Sequence, residues 1–319
     1  MLALMGAVAF IASTGVSQNS LGPTRQGYAP AYYFGTQGEP PQVVVFPPVG
    51  APVVIPLPIP DLLRFRAFTR DGRQIFATIN TITSPRSPGH PARLGPPRLV
   101  RVDFGPVRVI PVADLVGLDD VLGLVVTPRQ DKILFAGAGW KGKIGCDLFE
   151  IDPSGKNMQL LIPDFGCGIG GVSPDGTKML VRRAKGLDII DLATGASTPL
   201  GSGFWKGDWS PDGRWIAALR LDPESEQPRT RYSKTVRINA DDLSRQQVMG
   251  GVNDEEISWS PDSRYLLYSE WNPSCGEKSE AGIFLTMDIE TGKRERVRGS
   301  TCRVNSNPYD GWISLDAIK

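Results

Sequence analysis

The sequence predicts an all-β fold, a β-propeller whose simplest arrangement has six blades. Three observations predict it. A short turn motif recurs five times, each copy is followed by further strand-like runs, and the chain carries 36 glycines and 28 prolines among 319 residues. Those two types fill about a fifth of the chain, against roughly 12% in ordinary domains. They punctuate short apolar runs, the pattern of many tight turns.

The motif copies are Phe68-Thr69-Arg70-Asp71-Gly72, Val172-Ser173-Pro174-Asp175-Gly176, Trp209-Ser210-Pro211-Asp212-Gly213 and Trp259-Ser260-Pro261-Asp262-Ser263, with a degraded copy at Val126-Thr127-Pro128-Arg129-Gln130-Asp131. The first turn residue falls at 69, 127, 173, 210 and 260, so the intervals are 58, 46, 37 and 50 residues. Proline presets φ for the first central turn position, aspartate suits the next, and glycine accepts the left-handed conformation that closes the turn. The result is a hairpin with a three-residue loop and a bulge glycine. An apolar residue precedes each turn and alternating apolar residues follow. Each copy therefore joins two strands. The turn aspartates Asp175, Asp212 and Asp262 are expected to bond local backbone.

A second strand pair follows each hairpin. It reads Leu187 to Asp191, a Leu192-Ala193-Thr194-Gly195 turn, then Ala196 to Leu200. The equivalent runs are Ile283 to Asp288, Ile289-Glu290-Thr291-Gly292 and Lys293 to Val297, and Leu148 to Asp152 before Pro153-Ser154-Gly155. Four short antiparallel strands per repeat of this length describe a propeller blade. The Trp-Ser-Pro-Asp-Gly turn followed by Asp-x-x-Thr-Gly resembles the repeat of TolB-type β-propellers, and also the propeller domains of prolyl-oligopeptidase-like enzymes. The resemblance covers roughly residues 61 to 316. It implies a binding or scaffold propeller. The helical N-terminal domain of TolB and the hydrolase domain of the peptidases have no counterpart in the residues given.

Five hairpins give five blades. Ahead of them lie three strand-like runs without a hairpin, at 31–34, 42–46 and 52–57. Asp310-Gly311-Trp312-Ile313-Ser314-Leu315-Asp316 at the other end resembles the start of another repeat. The three runs can supply the outer strands of a sixth blade and the C-terminal run its innermost strand. That pairing closes the ring and leaves no open seam. Five or seven blades are the alternatives. Prolines at 47, 48, 56, 58 and 60 suit outer strands, where a missing donor is tolerated.

The four cysteines sit at matching repeat positions. Cys146 precedes a third strand and Cys167 follows the fourth of the same blade; Cys275 and Cys302 stand likewise in a later blade. Of the three possible connectivities, 146–167 with 275–302 fits the register. Such bridges imply an oxidising compartment, periplasmic or secreted. Four free thiols in a cytosolic protein are the alternative. A zinc site is disfavoured, because no Cys-x-x-Cys spacing occurs.

The apolar run Leu2 to Ala12 is too short to span a bilayer and resembles a secretory signal, although no Lys or Arg precedes it. The expected organisation is a signal-like segment over 1–17, a linker over 18–30 and one propeller domain over 31–319. A buried N-terminal strand or helix is the alternative for the first segment. No stable membrane span is expected. Lys and Arg (35) nearly balance Asp and Glu (34), which provides no field for nucleic acid.

Strand direction places the hairpin turns and the Asp-x-x-Thr-Gly turns on one face. The loops between second and third strands, and between blades, lie on the other, which carries the long insertions. The expected insertions are 80–98, 138–146, 222–232, 271–281 and 300–309. Binding commonly resides in long loops on a rigid scaffold. Candidate binding residues are therefore Trp140, Trp205, Trp271 and Tyr309, together with Asp254 and Glu255 before an innermost strand. The ordinary alternatives are rings packed on neighbouring blades and a solvated acidic rim, which Asp119-Asp120 would join. The Arg-rich stretch 84–108 reads as a solvated loop, or as a surface for an acidic partner.

No catalytic residues, metal ligands or cofactors are assigned. His90 is the sole histidine and sits in Pro88-Gly89-His90-Pro91, with nothing to orient it for a triad. Neither a Gly-x-Ser-x-Gly elbow nor a phosphate loop appears. The leading expectation is a non-catalytic cell-envelope propeller contacting a protein, peptide or glycan. The alternatives are a carboxylate- or metal-dependent lyase or hydrolase at the channel mouth, and a sensor or accessory fragment that works with a partner chain.

Overall fold

The computed structural model describes residues 27–34, 41–59, 63–84, 93–221, 233–250, 254–271, 282–297 and 310–318. They form six four-stranded antiparallel sheets, each a propeller blade. Three N-terminal strands, β1 (Tyr28–Phe34), β2 (Gln42–Val45) and β3 (Val53–Pro56), belong to the closing blade. Blade I holds β4 (Leu63–Phe68), β5 (Gln74–Ser84), β6 (Arg93–Asp103) and β7 (Arg108–Asp114). Blade II holds β8 (Asp120–Val126), β9 (Ile133–Ala138), β10 (Cys146–Ile151) and β11 (Gln159–Ile162). Blade III holds β12 (Gly168–Val172), β13 (Lys178–Arg183), β14 (Gly186–Asp191) and β15 (Ser197–Ser202). Blade IV holds β16 (Phe204–Trp209), β17 (Trp215–Leu221), β18 (Ser233–Asn239) and β19 (Gln246–Gly250). Blade V holds β20 (Asp254–Trp259), β21 (Tyr265–Trp271), β22 (Gly282–Asp288) and β23 (Arg294–Arg296).

The ring closes as the sequence predicts. Strand β24 (Asp310–Ser314) pairs with β1 and completes the closing blade in the order β24-β1-β2-β3. Tyr28 stands opposite Ser314 and Ala31 opposite Gly311. Strand β1 takes in residues 28–30, which the sequence reading gave to the linker; Pro30 is accepted there, opposite Trp312. A second difference lies in blade I. Strands β5 and β6 pair from Gln74–Asp103 out to Ser84–Arg93, through most of the expected 80–98 loop. The stretch Thr78-Ile79-Asn80-Thr81-Ile82-Thr83, β-branched at every position but Asn80, suits the ladder, and Pro96 and Pro97 are tolerated within it. Of the stretch 84–108, residues 93–103 are thus strand, and residues 85–92 lie outside the described residues.

The turn chemistry accounts for the repeat. Ser173 Oγ donates to Asp175 Oδ1 at 2.6 Å, and Lys178 N donates back to Ser173 Oγ at 2.9 Å. Thr69 with Asp71 and Ser210 with Asp212 repeat the first bond at 2.6 Å, and Ser260 with Asp262 also repeats it. Each aspartate also accepts a backbone amide two residues on, as Asp212 does from Arg214 at 3.1 Å. In the degraded copy Gln130 takes the left-handed position (φ 59°), and Asp131 replaces the missing turn acid by accepting from Thr127 Oγ1 at 2.7 Å. The second turns of blades III and V use an aspartate similarly, and that of blade IV uses Asn239. Asp191 accepts from Thr194 N and Oγ1, both at 2.8 Å.

The core is divided among the blade interfaces. On β13, Met179 and Val181 join the cluster shared with blade II, while Leu180 joins the one shared with blade IV. On β17, Ile216 and Ala218 face blade III, and Ala217 and Leu219 face blade V. Successive side chains leave a strand on opposite faces, and both faces of these middle strands are covered. They therefore read as continuous apolar runs rather than alternating ones. The cluster between blade V and the closing blade contains Tyr265, Leu267, Phe284, Val44, Phe46 and Trp312.

Cys146 and Cys167 form a disulfide with Cα atoms 5.2 Å apart. It ties the start of β10 to the crossover into β12, as the register predicts. Cys275 and Cys302 lie outside the described residues, as do the signal-like segment over 1–17 and His90. No helix among the described residues is long and apolar enough to cross a membrane.

Candidate channel site

The innermost strands β4, β8, β12, β16, β20 and β24 surround a central channel, a cavity of about 490 Å³ with residues of all six strands in its wall. Pocket volumes of this size are typical of small-ligand sites. Strand polarity divides it. The innermost strands of blades I to V start at the long-loop face and end at a hairpin turn, and β24 runs the same way into a short 3-10 helix at Leu315–Ala317. Trp205 begins the wall in blade IV near the long-loop face, and Trp209 lies near the turns.

Trp209, Trp259 and Trp312 occupy one repeat position. Trp259 Nε1 donates to the Asp208 carbonyl at 3.2 Å, and Trp312 Nε1 to the Ser258 carbonyl at 3.4 Å. Each indole thus reaches back to the preceding blade. Trp209 is 8% exposed, and its Nε1 is buried with no acceptor. In blade III the position matching Asp208 is Gly171, which lies close against Asp208: a Cβ there would sit 2.1 Å from Asp208 Oδ1.

Asp208 is the chemically distinctive group. It is the sole acid among the described residues lining the channel, beside the cations Arg70, Arg182 and Lys206. Part of the residue still faces the lumen, yet its carboxyl group is enclosed by protein. Burial pushes its pKa from 3.8 to about 6, against the opposing pull of the Trp209 and Trp259 amides and of Lys206 and Arg70. The amide of Trp209 donates to Oδ1 at 2.9 Å.

A stability effect follows from that shift. The folded chain holds this proton more tightly than the unfolded chain. The resulting stabilisation is complete below about pH 4 and is lost as the pH rises through about 6. By pH 8 the loss is about 3 kcal/mol, at about 1.4 kcal/mol per pKa unit. Asp208→Asn keeps an acceptor without the charge. Thermal melting is expected to show the variant several degrees more stable than the parent at pH 8 and equal to it at pH 4. A variant less stable at pH 8 would contradict this reading of the carboxylate.

Arg70 crosses the channel. It stands in the blade I turn, and its guanidinium donates to the carbonyl of Pro211 in the blade IV turn. Contacts between successive innermost strands run β4, β8, β12, β16, β20, β24 and back to β4, so blades I and IV are diametrically opposed. Burial lowers the Arg70 pKa, with Asp208 and Asp212 opposing the shift.

The sequence-derived candidates fall in several places. Trp140 is half-buried in a short turn between β9 and β10, its ring edge-on to Phe149 at 5.3 Å and against Gly117. That ring is an anchor for its own blade. Trp205 is in the channel wall and touches the core shared with blade V. Its Nε1 is buried with no acceptor. Trp271 ends β21, while Asp254 and Glu255 begin β20 rather than preceding it. The backbone therefore brings all three to the long-loop face. Tyr309 lies outside the described residues. Asp119 packs against Gly139, and Asp120 Oδ1 accepts from the Val121 amide at 2.8 Å. Among the described residues, no three of His, Cys, Asp or Glu gather as metal ligands.

Sequence reasoning missed Asp208 and Arg70. Asp208 looks like any polar strand residue. Arg70 did carry a signal, because it replaces the proline found at the same motif position in Pro128, Pro174, Pro211 and Pro261.

No family model and no curated protein matches the chain. Solved structures do. A candidate TolB from Agrobacterium tumefaciens aligns with a TM-score of 0.58 at 16% identity, over 90% of this chain and 97% of that one. A candidate 6-phosphogluconolactonase from Bacteroides uniformis aligns at 0.51 and 13% identity, over 90% and 100% of the two chains. The GH74 enzyme of Niastella koreensis aligns at 0.51 and 11%, over 74% of this chain and 37% of its own. At such identities the likeness carries the six-bladed fold and no particular activity.

Proposed function

We propose that the protein is a non-catalytic binding propeller of the cell envelope, taking a protein or peptide segment at the long-loop end of its channel. The observation that carries this is the channel itself. Its wall is continuous innermost-strand backbone with Trp205 at the long-loop end and a few charged groups deeper in, a surface suited to gripping a chain segment. Trp271, Asp254, Glu255 and Tyr309 would extend the contact around the mouth. The Cys146–Cys167 bridge supports an oxidising compartment, and it fixes the crossover from which Cys167 joins the channel wall.

A photoreactive aromatic amino acid placed at Trp205 in living cells tests this. A discrete cross-linked partner is expected from position 205 and none from exposed Leu160 on the outermost strand β11. Equal adducts at both positions, or none at 205, would remove the proposal.

A further inference from the structure

We propose that the outer corner of the closing blade, an exposed apolar rim from Pro47 to Pro56, rests in the surface of a lipid bilayer. The proposal is independent of the channel reading, and it turns the long-loop mouth away from the membrane. Strand β2 runs in the same direction as β24, so the β2–β3 turn lies on the hairpin-turn face. Blades III and V place the polar turns of Asp191 and Asp288 there. In the closing blade, residues 49–54 are six successive exposed residues, and none has a polar side chain. Val49, Val53 and Val54 are 68%, 39% and 54% exposed. No charged residue occurs between Glu39 and Asp61. Strand β3 alone among the six outermost strands has no polar side chain: β7 and β23 carry charge, and β11, β15 and β19 carry glutamine, serine or threonine. On the same face, the second turn of blade I, Gly105-Pro106-Val107, is also uncharged, and Val107 packs against the cluster that holds Ile55 and Leu57. Exposed apolar surface of this kind marks a contact site.

Three observations favour a bilayer over a protein partner. Val53 stands opposite Val45 and Val54 opposite Val44, so Val53 shares the face toward blade I and Val54 the face toward blade V. The apolar surface therefore wraps around the blade edge instead of forming one flat patch. The backbone agrees. The Leu57 amide bonds the Pro41 carbonyl, so odd positions of β3 direct their amides to β2 and even positions direct theirs outward. The outward positions are Pro52, Val54 and Pro56, and only Val54 has an N–H. A partner strand would find one donor along this edge. A bilayer would have one outward amide to desolvate in place of three, and each unsatisfied amide is costly there. The chain path agrees as well. The Leu315 amide bonds the Gly27 carbonyl, and the Phe46 amide bonds the Pro30 carbonyl. The residues preceding Gly27, among them the apolar run Leu2–Ala12, thus arrive at this same face, on the strand next to β2.

The test uses the purified full chain with vesicles of phosphatidylcholine alone, and of phosphatidylcholine and phosphatidylglycerol in equal parts. An environment-sensitive fluorescent amino acid at position 49 reports immersion. A blue shift, quenched by lipid brominated on its acyl chains, is expected with both vesicles. Added salt should leave it unchanged, because the rim has no charge to screen. The same probe in place of Leu160, exposed on β11, should not shift. Flotation measures the partition coefficient. Val49→Asp combined with Val54→Asp should lower it roughly tenfold or more, and Val49→Leu, one methylene longer, should raise it roughly fourfold. Melting curves establish that each variant is folded. If the double variant does not fold, Val49→Asp at the turn carries the loss. No shift at position 49, an equal shift at 160, or a shift that requires phosphatidylglycerol overturns the proposal. So does vesicle binding that the rim variants leave unaltered, which would belong to Leu2–Ala12 alone. Light scattering supplies the last arm: a dimer dissolved by the double variant would assign the rim to a second copy of the chain and overturn the bilayer contact. None of these outcomes alters the cross-link expected at position 205.

Discussion

Gly72→Ala is expected to destabilise the protein by about 3 kcal/mol or more, several times the effect of Gly176→Ala. Both glycines close a motif turn, with φ of 64° and 77°. An alanine at either site bears the left-handed penalty of about 1 kcal/mol. At Gly176 there is no further cost, because a Cβ there meets nothing within 4 Å. At Gly72 the new atom would lie 2.6 Å from the Ser314 amide nitrogen and 2.7 Å from the Trp312 carbonyl oxygen. Both belong to backbone, which cannot swing aside as a side chain can. The Ser314 amide also donates to the Gly72 carbonyl at 2.9 Å, so the clash falls on the bond that holds the closing strand to blade I. Urea unfolding of the two variants beside the parent measures the difference. Equal losses would mean that β24 does not lie against the blade I turn.

Trp312→Ala should cost about 3–5 kcal/mol, the range for deleting a buried aromatic side chain. Trp312 is 3% exposed in the cluster with Phe46, Tyr265, Leu267 and Phe284. Its indole N–H bonds the Ser258 carbonyl of blade V. The substitution removes packing and an inter-blade hydrogen bond together, at the seam where the ring shuts. Trp312→Phe retains most of the packing and should lose about half as much or less. Calorimetry distinguishes this from a loose C-terminal tail, for which both substitutions would leave the melting temperature unchanged.

How legible these features were depends on how local their chemistry is. The motif turns were readable because Ser173 through Gly176 complete their hydrogen bonds within a few residues. The closing blade was readable because β1, β2 and β3 lie among turn residues in the pattern of strands, while β24 repeats the start of a blade. The 146–167 bridge followed from register. The extended β5–β6 arm was missed because Pro96 and Pro97 look like loop residues, although the opposite strand is rich in β-branched residues around Asn80. The channel site was missed for a different reason. Asp208 acquires its raised pKa from its burial once the blades come together, against an opposing pull from groups on other blades, among them Trp259 and Arg70. Arg70 finds its acceptor 141 residues away. Such groups carry no meaning until the ring is closed. Trp140 shows the converse: an aromatic in a long loop suggested a contact surface, whereas its ring is committed to Phe149 and Gly117 of the molecule itself.

The ring closed by its two termini underlies both the channel and every assignment made to it. Native-state hydrogen exchange, read on peptides covering 28–34, 178–183 and 310–318, tests that closure most directly. Closure predicts that the first and last of these exchange together, about as slowly as the β13 peptide of blade III, and that deleting residues 310–319 releases the protection of 28–34. Rapid exchange over 310–318 beside an intact, slowly exchanging 28–34 would contradict it.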